Sequence, residues 1–197
     1  MFRLLSLLLL SPAAPPPIAQ HVIIMGCDGM SPDGVRKAKA PNLKQLMRTG
    51  AYTLHARGVM PTSSSPNWAS MIMGAGPEQH GVTSNDWQPN KYDFPPAATG
   101  SGGIYPTIYG VLRAQRPAAR IAVFHDWWDY ARLIEPGVVT VIEHAKGAAE
   151  TTRRAVDYIT QNKPDFALFI SIMWTTPATS TATARRSTTR RWRKPTA

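Results

Sequence analysis

Acidic residues are scarce in this chain: 12 Asp and Glu stand against 22 Lys and Arg in 197 residues, a formal net charge of +10. No Asp, Glu or His occurs anywhere after Asp165. The single cysteine, Cys27, excludes an intrachain disulfide and any zinc site built from several cysteines. No apolar run reaches the roughly 18 residues that an ordinary membrane-spanning helix needs. The 18 prolines argue against a long helical bundle. What is present is enough for one core: 43% of residues are hydrophobic and 9% aromatic, which excludes a wholly disordered or collagen-like chain. The length fits one domain, or one domain plus a tail.

The excess positive charge invites a nucleic-acid reading, but its distribution weakens it. Residues 173–197 hold Arg185, Arg186, Arg190, Arg191, Arg193 and Lys194 with no acid, so the body is only mildly basic. Only Trp174 and Trp192 interleave those charges, and no binding motif accompanies them. The tail is otherwise Thr, Ala, Ser and Arg without helical or strand period, and the expectation is disorder. At the other end, Met1-Phe-Arg is followed by a short leucine block and then Ser-Pro-Ala-Ala. That pattern predicts a secretory signal peptide over 1–19, cut near Ala19, and an exported protein, periplasmic or extracellular.

Between these ends, residues 20–172 alternate strands with helices. The runs 21–27, 120–124, 138–142 and 165–172 are apolar and rich in β-branched residues. They predict four strands. Helices are predicted over 41–50, where Pro opens and Gly closes the segment, over 67–73 just after Pro66, over 107–115 and over 148–162. Residues 60–66 and 85–103 read as loops. The class is α/β with a mostly parallel sheet flanked by helices. Sites in such sheets gather beyond the carboxyl ends of the strands. Asp28, His125 and Asp126 lie at such ends.

An Asp closing a central strand is a hard ligand for a metal ion, although Asp-Gly pairs more often simply make turns. In Pro61-Thr-Ser-Ser-Ser-Pro-Asn67, hydroxyls stand just before a helix start. Free N–H groups and the helix dipole there favour an anion such as phosphate. A serine beside a metal ion can become a nucleophile. Taken alone, the stretch is more simply a Ser-rich helix cap. His125-Asp126-Trp127-Trp128 is a candidate pocket wall, with buried packing an equal alternative. His55 and His144 have no evident partner, and Cys27 reads as an inert small hydrophobe.

Order and spacing change the balance. The strand ending in Asp28-Gly, then Pro41-Asn-Leu-Lys-Gln-Leu, then Pro61-Thr-Ser-Ser-Ser-Pro-Asn67, then Gly76-Pro-Glu-Gln-His80-Gly form one collinear series. It resembles the N-terminal half of the alkaline phosphatase superfamily, in its type I phosphodiesterase/nucleotide pyrophosphatase branch, over roughly 21–172. The resemblance implies a metal-dependent hydrolase of small-molecule phosphoric esters. Asp28 matches a metal-binding aspartate. Ser64 falls on the nucleophile, which also touches the metal and forms a phosphoseryl intermediate. Asn67 falls on the asparagine that holds a phosphoryl oxygen. Two metal ions, usually zinc, are implied. Trp68 stands where the branch often has His. His80 is a family hallmark without a ligand role, and is read as structural. A sulfatase is disfavoured, because Trp68 replaces the Arg of that family's Cys/Ser-x-Pro-x-Arg stretch.

The family's other metal ligands should follow the last strand as Asp-x-x-x-His, and they are missing. Met173 and Trp174 have unique codons, and read from the third base of each they give Val and Asp. Flanking codons permit His-Leu-Asp-His before and His-Ala-Gly-His after. The tail over 173–197 is therefore expected to be an out-of-frame product of a shift near residue 169, and the chain an N-terminal fragment, truncated and inactive by itself. The rivals are a non-catalytic remnant and, last, a basic nucleic-acid-binding protein. Resequencing the coding DNA over codons 160–197 should show one base gained or lost and restore Asp-His-Ala-Gly-His. An unchanged frame with a true stop refutes the shift.

Overall fold

The computed structural model describes residues 19–91 and 93–172. The predicted tail and most of the predicted leader lie outside these residues. Four strands form one sheet: β1 (Val22–Asp28), β2 (Ile121–His125), β3 (Val141–His144) and β4 (Phe166–Ile172). Their order is β1-β4-β2-β3 and every pairing is parallel. The α/β expectation holds. Parallel neighbours put all four carboxyl ends on one edge, so Asp28, His125, His144 and Ile172 stand along the same rim.

Period-two alternation divides the core. Ile121, Val123, Leu168 and Ile170 face one side and pack with Trp68 and Tyr109. Those two rings belong to α3 (Ser64–Met73) and α5 (Ile108–Gln115). Ala122, Phe124, Ala167 and Phe169 face the other side and pack against Ala155 of α6 (Gly147–Asn162). The result is a three-layer α/β/α arrangement.

Two short helices, α1 (Pro32–Lys37) and α2 (Pro41–Thr49), follow β1 and bury no residue, and Leu46 of α2 is 62% exposed. The single turn α4 (Pro77–His80) is tied to α3 by His80. The His80 ring accepts from the Val82 N–H at Nδ1 (3.0 Å), which leaves its Nε2–H to donate to Ser70 Oγ (2.9 Å). Burial pushes its pKa from 6.5 down to about 4.

Several predicted boundaries move, each for a local reason. α1 was not predicted, because its six residues carry no apolar stripe; Ser31 caps it and Pro32 opens it. α3 begins at Ser64, three residues earlier than predicted. Pro66 sits within the first helical turn, where a missing N–H costs nothing. β3 starts at Val141, three residues later than predicted. Before it, the Val138 carbonyl accepts from Arg113 Nε (3.1 Å), and Thr140 Oγ1 accepts from the Ile121 N–H (3.0 Å). β1 was predicted as a buried strand. Among the described residues it pairs only with β4, and Val22, Ile23 and Met25 are 45%, 49% and 54% exposed.

The neutral His80 contact sets a pH dependence. The folded state refuses a proton that the unfolded chain takes up below about 6.5. Its stabilisation is therefore complete above that pH and is lost as pH falls towards about 4. Urea midpoints measured across this window should drop in the wild type, and His80→Gln should flatten that part of the profile.

Candidate active site

The site begins with a spacing. Ser64, Asn67 and Trp68 are related as i, i+3 and i+4, so α3 presents all three on one face of its first turns. On β1, Gly26 and Asp28 are two apart and share the face turned to α3. The two faces meet. Ser64 Oγ donates to Asp28 Oδ2 at 3.4 Å, and the Trp68 indole N–H donates to the same oxygen at 3.4 Å. The meeting is possible because residue 26 is glycine. A methyl carbon placed there falls 2.6 Å from Trp68 Cη2. A glycine inside a strand marks such a close approach.

A cavity of about 640 Å³ opens above this meeting point, within the usual size range of small-molecule sites. Asp28, Ser64 and Asn67 all line it, so the structure brings together the three predicted site residues. Met30, Met71 and Trp68 give it an apolar wall, and among the described residues Arg57 is the one cation in its lining. Arg57 was not singled out in the sequence. It comes from a loop that lacks regular structure, and only the fold carries it to the pocket.

The α3 N-terminus is less open than its sequence implies. The Ser65 N–H donates to Asn85 Oδ1 (2.8 Å), Pro66 has none, and the Asn67 N–H donates to the Ser63 carbonyl (3.4 Å). Ser64 carries the one first-turn N–H without a partner among the described residues. Asn67 is also engaged. Its Oδ1 accepts from the Val59 N–H (2.8 Å), and its Nδ2 donates to the carbonyls of Ser63 (2.9 Å) and Pro61 (3.3 Å). Asn67 thus pins the 59–63 loop, and contact with a phosphoryl oxygen requires release of one of these bonds.

The other candidates separate from this centre. His125 is buried, its Nδ1 bonded to the Trp127 carbonyl (2.8 Å), and burial lowers its pKa. Asp126 Oδ1 accepts from the Ile172 N–H (2.8 Å), which closes the end of β4. Trp127 packs in the core, and Trp128 is exposed with its edge against His144 (4.5 Å), so neither lines the cavity. His55 is exposed and lies outside it. Cys27 does line the cavity, but burial raises its thiol pKa. That disfavours the thiolate and any nucleophilic role.

A zinc ion needs about three or four protein donors. Among the described residues, no group of three or more His, Cys, Asp or Glu is placed to hold a metal ion. Asp28 and Ser64 offer two oxygens, so these residues do not by themselves fit a complete centre.

The model of the type I phosphodiesterase/nucleotide pyrophosphatase family matches residues 22–186. The chain belongs to that family, and so to the alkaline phosphatase superfamily. A venom phosphodiesterase of Macrovipera lebetinus is 27% identical over 138 residues, covering 51% of this chain and 16% of the relative. Human ectonucleotide pyrophosphatase/phosphodiesterase family member 5 is 29% identical over 70 residues, 36% of this chain and 15% of the relative. The solved structure of an inactive murine ectonucleotide pyrophosphatase/phosphodiesterase 5 with AMP superposes with a TM-score of 0.60 at 19% identity. That match covers 81% of this chain and 44% of the other, so the chain spans under half of the proteins it resembles.

The Asn67 side chain holds four backbone groups at once, the N–H and carbonyl of Val59 and the carbonyls of Pro61 and Ser63, and its loss should be felt. Asn67→Ala should lower stability by about 1–3 kcal/mol in urea unfolding, the range for stranding partly buried polar groups. An unchanged midpoint would show that the loop does not depend on it.

Proposed function

We propose that this chain carries the nucleophile half of a phosphoric ester hydrolase site, exported from the cytoplasm behind the 1–19 leader. The observation that carries this reading is the Ser64 hydroxyl, at the head of α3, bonded to Asp28 and open to a cavity of ligand size. Ser64 Oγ attacks phosphorus as the ester P–O bond breaks, the leaving alkoxide departs as the alcohol with the proton given up by the hydroxyl, and water then hydrolyses the phosphoserine to regenerate Ser64. Asp28 accepts the hydroxyl's hydrogen bond and orients it beforehand. The Ser64 N–H, without a partner among the described residues, lies at the positive end of the dipole of a ten-residue helix, a favourable place for a phosphoryl oxygen. Asn67 adds a donor once it lets go of a loop carbonyl.

The substrate class is a nucleotide ester. The murine relative binds AMP, and the apolar wall of Met30, Met71 and Trp68 suits a base or another flat leaving group. In the complete site, zinc would neutralise charge on the phosphoryl group. Asp28 and Ser64 would be two of its ligands. Residues 20–172 are accordingly the N-terminal part of the catalytic domain, and 173–197 an aberrant basic tail. This chain alone binds zinc weakly and turns over little or no ester.

Two experiments check this. In a protein with the 173–197 frame restored, Ser64→Ala should cut phosphodiester hydrolysis on the order of a thousandfold or more. Retained turnover removes Ser64 as nucleophile. Zinc calorimetry on the chain as it stands should show no tight binding, whereas the restored frame should take up two ions. Tight binding by the present chain contradicts the half-site.

A further inference from the structure

The Trp68 indole is held on three sides. Its ring lies on the bare backbone of Gly26, where even a methyl group would come within 2.6 Å of Cη2. Tyr130 meets it edge-on at a centroid distance of 6.3 Å. Tyr130 is itself fully buried and shares a hydroxyl hydrogen bond of 3.0 Å with the equally buried Tyr109. The third side is Asp28 Oδ2, the acceptor of the indole N–H. A buried indole N–H needs a partner. With the ring fixed by packing, Asp28 is the partner the fold supplies.

We propose that Trp68 is a positioning residue for Asp28. Its N–H fixes Oδ2 of the carboxylate at the place where Ser64 Oγ also donates. Oδ1, which has no protein partner among the described residues, is thereby left for whatever occupies the pocket. The rigid ring transmits the position of the core, through Tyr130 and Gly26, to the acid that faces the nucleophile. The role is distinct from volume filling. A phenyl ring fills much of the same space and holds nothing.

This inference rests on the reading of Asp28 and Ser64 as working partners, and the test separates the two. Protein labelled with ¹⁵N in its six tryptophans gives resolved indole N–H signals, and the one lost in Trp68→Phe is that of Trp68. Asp28→Ala should move that signal by more than a linewidth and speed its hydrogen exchange, leaving the other indoles in place. Gly26→Ala should do the same by displacing the ring, which covers the case in which Asp28→Ala does not fold. In the frame-restored protein, Trp68→Phe should lower kcat about 10- to 100-fold with KM unchanged, as loss of an outer-shell partner does. A Trp68 signal that ignores both substitutions overturns the proposal, as does full kcat in Trp68→Phe. Turnover that survives Ser64→Ala overturns the hydrolase reading instead, whatever the indole signal does.

Discussion

The site depends on how closely α3 lies over β1. Gly26 has no side chain, so the Trp68 ring settles onto the strand itself, and the helix follows the ring down. Only at that separation can Ser64 Oγ reach Asp28 across the gap between helix and strand. A Cβ at position 26 would meet Trp68 Cη2 at 2.6 Å, so the ring or the helix that carries it would have to shift. Cores pack to crystal density, so a displacement of this kind cannot be absorbed locally. One missing methyl group thus couples the packing of the core to the chemistry of the rim.

The same face of α3 combines two tasks that pull in different directions. A helix N-terminus left open favours an anion, yet here the loop before it is also held still. Asn67, Asn85 and Pro66 accomplish the second by consuming or removing most first-turn donors, which leaves Ser64 with the free N–H. The opening is narrow and sits on the residue that also carries the hydroxyl. A single residue therefore presents both a hydroxyl and a backbone donor to the cavity. Arg57, carried by the neighbouring loop, adds positive charge to the cavity lining.

The sheet is unevenly covered. β2 and β4 are enclosed by helices on both faces, while β1, which carries Asp28, has one paired edge among the described residues and three exposed apolar side chains. An apolar parallel strand is normally enclosed on both faces. Asp28, the acid of the candidate site, therefore stands on the least covered strand among the described residues.

The α/β class and the four strands were legible in the sequence, and so were Asp28, Ser64 and Asn67 as candidates that the fold brings to one cavity. These follow from local quantities: β-branched runs, turn residues at fixed offsets, and hydroxyls before a helix. The start of α3 at Ser64 was not, because a proline within a first helical turn reads the same as one in front of it. The engagement of Asn67 with its loop, the exposure of β1 and the arrival of Arg57 at the pocket were likewise hidden. So was the grip of Trp68 on Asp28, which joins residues 40 positions apart. The sequence by itself determined which groups could react and on which elements they ride. The tertiary structure decided which of them meet, because the distance between a strand and a helix is set by the side chains between them.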